Sequence, residues 1–255
     1  REKEGGAWVF TSATLSAGGD FRHFENEVGL EDATAKSWPS PFNYWEQGCF
    51  YLPAMPLPEN NPKAHAERMV DAAWPLLNAA GGRTFFLCTS LAAVAAAADR
   101  LRERLEANGN PYPLLVQGEM PKAALIEEFR RLGNAVLVGS MSFWEGVDVR
   151  GDALSLVVID KLPFSPPDDP IFSARADYIR AAGGNPFITH SLPEAIIALK
   201  QGAGRLIRSE TDRGVFMLCD ARVAEKFYGR KMLSSLPDFY KTRRLRKAMQ
   251  FFLNP

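Results

Sequence analysis

Within Ala198-Leu199-Lys200-Gln201-Gly202-Ala203-Gly204-Arg205-Leu206-Ile207-Arg208, an amide and two guanidinium groups recur at fixed steps. On a helix, Gln201, Arg205 and Arg208 stand at i, i+4 and i+7 and share one face. Such a face offers an amide and two planar donor forks to a single anion. A transferring phosphoryl group spreads negative charge over its equatorial oxygens, and a guanidinium, which keeps its proton, meets those oxygens with paired N–H donors. The same spacing also suits an ordinary amphipathic helix whose arginines pair on the surface with Glu194, Glu210 or Asp212.

A second polar cluster, Gly139-Ser140-Met141-Ser142-Phe143-Trp144-Glu145-Gly146-Val147-Asp148-Val149, follows the apolar run 135–138 directly. In open α/β sheets ligands gather beyond the carboxyl ends of the strands, where this loop belongs. Ser140 and Ser142, with exposed amides, suit phosphates, and Glu145 and Asp148 suit the orienting of polar neighbours. Turn chemistry alone would select the same residue types. Thr89-Ser90 opens the helix that follows the run 84–88, where hydroxyls and unpaired amides favour an anion such as a DNA phosphate, or where Ser90 is simply an N-cap. Ser12-Ala13-Thr14-Leu15 follows an apolar run in the same way. Asp160-Lys161 closes the run 154–159, either as part of a site or as an exposed ion pair at a strand edge.

Three constellations are absent from the sequence. It has no G-x-x-x-x-G-K-S/T phosphate loop and no G-x-S-x-G elbow, and His23, His65 and His190 show no ligand spacing with Cys or carboxylates. The sequence therefore predicts no metal site and at most part of a nucleotide site.

The elements that must position these residues alternate. Strands are expected at Ala7–Thr11, Cys49–Leu52, Thr84–Cys88, Leu114–Val116, Ala135–Val138, Leu154–Ile159 and Val215–Cys219. Between them, apolar residues at three- and four-residue steps predict helices at 62–79 (bent or broken near Pro75), 91–107, 121–132, 170–182, 193–203 and 222–234. The pattern predicts an α/β, doubly wound, mostly parallel sheet flanked by helices. The proline-bearing stretch 32–62 reads as an irregular connection, Leu162 to Pro167 must leave the sheet, and 241–255 reads as a basic C-terminal tail, bland unless it meets a partner.

The 255 residues suffice for one large core, and 30 Lys+Arg balance 30 Asp+Glu. Charge thus neither supports nor excludes a polyanionic partner; DNA would need a local basic groove. Cys49, Cys88 and Cys219 are widely spaced, as buried reduced thiols are in a cytoplasmic protein. No apolar run is long enough for a membrane span, and the start Arg1-Glu2-Lys3-Glu4 does not resemble a signal peptide. That start lacks a Met and enters an apolar run almost at once, which is expected of a piece of a longer polypeptide.

In order along the chain, Thr11-Ser12-Ala13-Thr14, Phe86-Leu87-Cys88-Thr89-Ser90, Gly139 to Asp148, Asp160-Lys161-Leu162-Pro163-Phe164 and Gln201 to Arg208 resemble the later motifs of superfamily 2 helicases. The branch they resemble is the DinG/XPD-like one. The resemblance spans nearly the whole chain, and it implies the second of two RecA-like domains, of the P-loop NTPase type but without the phosphate loop. It implies that ATP and Mg2+ are shared with a first domain that carries the phosphate loop and the acidic metal-binding box. Carried over, Arg205 and Arg208 resemble the γ-phosphate-sensing and finger arginines, Gln201 their partner amide, and Gly204, Glu145 and Asp148 positions beside the nucleotide. Thr89, Ser90, Ser140 and Ser142 resemble contacts to the DNA backbone, and Ser12, Ala13 and Thr14 the element that couples hydrolysis to DNA movement.

The resemblance further implies 5′ to 3′ movement on single-stranded DNA, and an iron–sulfur cluster in the first domain, with none here. The N-terminal RecA-like domain of the same polypeptide is then the obligatory partner, and the isolated piece is expected to lack ATPase activity. Two other readings stay open from the residues: a nucleic-acid-binding or protein-interaction module that kept the fold without the motor, with Phe143 or Trp144 as candidates to stack on bases, and an unrelated doubly wound enzyme, against which the missing glycine fingerprint argues.

Overall fold

A computed structural model describes residues 7–30, 32–58, 61–140, 153–166 and 168–253. Its centre is a sheet of seven strands: β1 (Gly48–Tyr51), β2 (Thr84–Cys88), β3 (Leu114–Val116), β4 (Val136–Ser140), β5 (Leu156–Ile159), β6 (Gly214–Leu218) and β7 (Tyr240–Thr242). Their order is β3-β4-β2-β5-β6-β1-β7, and every pairing is parallel. The strands are apolar on both faces because helices cover both, as parallel sheets require.

Alternation along each strand divides the side chains between two cores. Phe85, Leu87, Val157, Ile159, Phe216 and Leu218 pack against the face carrying α5 (Lys122–Leu132), α7 (Leu192–Ala203) and α9 (Gly229–Ser235). Phe86, Cys88, Leu156, Val158, Val215 and Met217 pack against α3 (Pro62–Ala79), α4 (Leu91–Ala107) and α10 (Leu245–Leu253). The remaining helices are α1 (Arg22–Val28), α2 (Tyr44–Gln47), α6 (Pro170–Ala181) and α8 (Arg222–Glu225), and a π-helical turn, Phe187–Ser191, leads into α7.

Six of the seven expected strands form within two residues of their expected ends. The seventh, Ala7–Thr11, does not: it pairs with no strand among the described residues, and Trp8 is 64% and Val9 82% exposed. An apolar run becomes a strand only when an edge accepts its hydrogen bonds, and this one reaches none. Its rings stack locally instead, Trp8 on Phe10 and Phe10 edge-on to Phe24 of α1.

α3 runs unbroken through Pro75, so of the bend or break expected there the break does not occur; Ala66, Met69, Val70 and Ala73 before it and Leu76 and Leu77 after it are all buried in one core. The helix expected over 222–234 is split into α8 and α9. Gly229 lies so close to the Val223 carbonyl that a β-carbon there would collide with it, which holds the chain in a turn. The basic stretch from Lys241 onward begins inside the edge strand β7 and continues as α10, which buries Ala248 and half-buries Met249, Phe251 and Phe252 on the sheet.

Candidate functional site

The sheet separates the expected site residues into two groups at its opposite ends. α7 descends from the carboxyl end of β5 toward the amino end of β6, so Gln201 and the turn from Gly204 to Asp212 lie at the amino ends of the strands. Gly214, the first residue of β6, is crowded there by Ser155 and by the Leu206 side chain. Gln47, just before β1, donates its amide to the carbonyls of Ser209 and Asp212 at 2.8 and 3.0 Å and pins the turn after Arg208 to the same end.

The helical spacing expected of Gln201, Arg205 and Arg208 is not what joins them. α7 ends at Ala203, and Arg205 and Leu206 continue it only as a tightened turn, their amides donating to Gly202 and Ala203 at 3.2 Å. Two glycines in three positions weaken the helix there. The Asp212 carboxylate then takes the backbone amides of Arg208 and Ser209, at 2.7 and 2.9 Å, which fixes Arg208 outside the helix. Asp212, foreseen as a surface ion-pair partner, is 7% exposed and acts through these backbone bonds.

Beside this turn lies a cleft of about 630 Å3, lined by Ala13, Thr14, Lys200, Gly204 and Arg208 on one side. Thr14 and the helix are directly connected: Gln201 Nε2 donates to Thr14 Oγ1 at 3.4 Å, and Lys200 Nζ donates to the Ser16 carbonyl at 2.9 Å. Ser12 Oγ accepts the Thr14 amide and shapes that turn. Burial pushes the Arg208 guanidinium below its ordinary pKa, opposed by Asp212 and reinforced by the neighbouring charge of Arg130, and burial likewise lowers Lys200. Two half-desolvated cations beside one cleft, whose remaining walls include Phe42, Tyr44 and Leu236, suit an anion, because an opposite charge recovers the solvation that each has lost.

At the carboxyl ends, Thr89, Ser90 and Ser140 are neighbours, since Cys88 of β2 pairs with Ser140 of β4. Ser90 caps α4, its hydroxyl accepting the Ala93 amide at 3.2 Å. Thr89 gives both its amide and its hydroxyl to the Asp160 carboxylate at 3.0 Å. Asp160 is fully buried at the end of β5, the central strand, so the exposed pair at a strand edge is overturned. Burial raises its pKa, against the pull of the Thr89 bonds. Ser142, Glu145 and Asp148 lie outside the described residues, as do Phe143 and Trp144.

The helicase C-terminal domain family matches residues 73–239. This chain belongs to that family. The ATP-dependent DNA helicase YoaA of Haemophilus influenzae is 47% identical to it over 253 residues, which is 99% of this chain and 39% of that protein. The ATP-dependent helicase DinG of Mycobacterium tuberculosis is 42% identical over 240 residues, 92% of this chain and 35% of that one. The chain therefore spans well under half the length of these relatives. A solved XPD helicase superposes with a TM-score of 0.55 at 18% identity, covering 86% of this chain and 37% of that one, and supports the RecA-like fold.

In this helicase C-terminal domain, sequence reasoning missed Lys200 and Arg130. Lys200 stands next to Gln201, and nothing in the sequence marks it; only the fold shows that it lines the cleft beside Arg208. Arg130 comes from α5, some 80 residues away in sequence, and no local pattern links the two. Cys49, Cys88 and Cys219 are all buried and unbridged in separate strands or at a strand end. Among the described residues no helix is long and apolar enough to cross a membrane.

Proposed function

We propose that this domain is the C-terminal motor half of an ATP-dependent DNA helicase. The observation that carries the reading is the convergence of Thr14, Lys200, Gly204 and Arg208 on one cleft, with Gln201 bonded to Thr14. That cleft faces ATP and Mg2+ held chiefly by an N-terminal RecA-like domain of the same polypeptide. Arg208 acts as the finger that meets the charge developing on the γ-phosphoryl group, Arg205 senses that phosphate, and Gln201 ties both to the Ser12-Ala13-Thr14 turn. Gly204, Glu145 and Asp148 stand beside the nucleotide.

Single-stranded DNA passes at the opposite end of the sheet, over Thr89, Ser90, Ser140 and Ser142, and is moved 5′ to 3′ in DNA repair or replication. The names of the relatives support ATP and DNA as substrates. An iron–sulfur cluster belongs to the first domain, because each cysteine here is buried in its own strand region. Buried, unbridged thiols also suit the cytoplasm.

The test is ATP hydrolysis with and without DNA. The 255-residue chain alone is expected to turn over no ATP. In the intact polypeptide, Arg208→Ala lowers turnover by about 1,000-fold or more while nucleotide binding persists, because a finger acts chiefly on the transition state. Robust DNA-stimulated hydrolysis by the chain alone, or normal turnover by the variant, would refute this division of labour.

A further inference from the structure

Near the start of α7, a histidine from α1 meets a histidine and a carboxylate four residues apart. His23 on α1, His190 in the π-helical turn and Glu194 in the first turn of α7 each place one ligand atom within 4.8 Å of the other two. His190 is 3% exposed, and its Nε2 lies 3.5 Å from Glu194 Oε1. The i, i+4 spacing of His190 and Glu194 sets them on one face of the helical run, and the π turn, a feature often found where helices carry function, widens the chain at His190.

We propose that His23, His190 and Glu194 bind a divalent transition-metal ion of the zinc class. Two neutral imidazoles and one carboxylate are a ligand set that suits such an ion, with a fourth position left to water. A carboxylate also stands behind the His190 ring, within reach of a hydrogen bond after a small shift. The other ring nitrogen, Nδ1, faces Glu27 Oε1 at 3.8 Å, and Glu27 is itself held through Oε2 by Arg175 of α6 at 2.7 Å. A carboxylate behind a ligand histidine orients the ring and raises its basicity. Phe172 stacks on the His190 ring at 5.7 Å and 25° and restricts its rotation.

The two carboxylates outnumber the single guanidinium, so the pocket attracts a cation. A cleft of about 650 Å3 bordered by His23, Glu27, Arg175 and His190 opens the position to solvent and gives the ion an entry path. Metal–ligand bonds of about 2 Å imply ligand separations of roughly 3.3 Å. His23 and Glu194, both only half-buried, close the remaining distance by side-chain rotation. The bound ion would fasten α1, which follows the Thr14 turn, to α7, which carries Lys200 and Gln201.

The test is a titration of the chain with zinc chloride against a chromophoric chelator, at neutral pH, with X-ray absorption of the loaded protein. One equivalent bound at micromolar affinity or tighter, through nitrogen and oxygen only, is expected. His23→Gln and Glu194→Gln, each checked by far-UV circular dichroism for an intact fold, should weaken binding by about 10-fold or more. His23→Gln changes a side chain outside the core and keeps the test valid should Glu194→Gln fail to fold. No binding by the parent chain, sulfur in the coordination shell, or unchanged affinity in the folded variants overturns the proposal; in the first case His190 is only a clamp between two carboxylates.

Discussion

Gln201 reaches across 187 residues of sequence to place its amide nitrogen 3.4 Å from Thr14 Oγ1, joining the end of α7 to the turn before α1. A long neutral hydrogen bond of this kind contributes about 0.5–1 kcal/mol. In the proposed motor, its value would lie in linking the end of α7 to the Thr14 turn. Thr14→Val removes the acceptor and keeps the shape. In the intact polypeptide, hydrolysis is expected to fall by no more than several-fold while base pairs opened per ATP fall further. Equal losses in both would leave Thr14 a mere part of the nucleotide site.

Arg208→Lys tests geometry against charge. The half-buried guanidinium sits where Asp212 fixes its backbone, and a lysine there keeps the charge but not the planar fork. Turnover is expected to stay near that of Arg208→Ala, with KM for ATP little changed. Recovery of turnover to within 10-fold of the parent would show that charge alone suffices.

Asp160 is a buried carboxylate committed to backbone and hydroxyl donors, accepting from the Thr89 amide and hydroxyl at 3.0 Å and from the Lys161 amide at 2.7 Å. Removing it strands buried donors, which costs roughly 1–3 kcal/mol. Asp160→Ala should therefore lower the unfolding free energy measured in urea strongly, and Thr89→Val should lower it by about 1 kcal/mol, since only the hydroxyl bond is lost. DNA affinity of Thr89→Val, measured at fixed salt, decides whether that hydroxyl also serves a phosphate: an unchanged Kd assigns it to the fold alone.

What the sequence revealed followed from period and punctuation. Strand β2 and helix α4 are legible to the residue because an apolar run, a capping Ser90 and a regular apolar face agree with one another. Ala7–Thr11 has the same apolar signal and forms no strand, since pairing depends on an edge that local sequence does not contain. The helix expected to join Arg205 and Arg208 to Gln201 stops at Ala203. The bond that fixes Arg208, from Asp212, competes with helix and leaves no periodic trace. β7 was hidden because Tyr240, Lys241 and Thr242 form a short edge strand with only partial burial, so no alternation marks them. The His23, His190 and Glu194 cluster was half legible: His190 and Glu194 stand at i, i+4, a spacing that the expectation of no ligand pattern passed over, whereas His23 lies 167 positions before His190, beyond the reach of any local pattern.

The buried thiols give a pH dependence with a definite sign. Burial pushes Cys49 from its ordinary 9.0 to about 12, and it raises Cys88 and Cys219 as well. The folded chain thus holds these protons more tightly than the unfolded chain does. Below pH 9 both states keep them, and their full contribution to stability is present. Above it the unfolded thiol ionises first, so stability falls with rising pH until the folded Cys49 itself titrates near 12, by up to ~1.4 kcal/mol per pH unit for one thiol. Cys49→Ala removes one such group. Its urea midpoint should start lower, because of the small cavity, but decline less steeply between pH 8.5 and 10.5 (about the free-thiol range) than that of the parent. Parallel declines would mean that Cys49 ionises in the folded chain as readily as in the unfolded one, and rapid reaction of the native chain with a thiol reagent at pH about 8 would say the same.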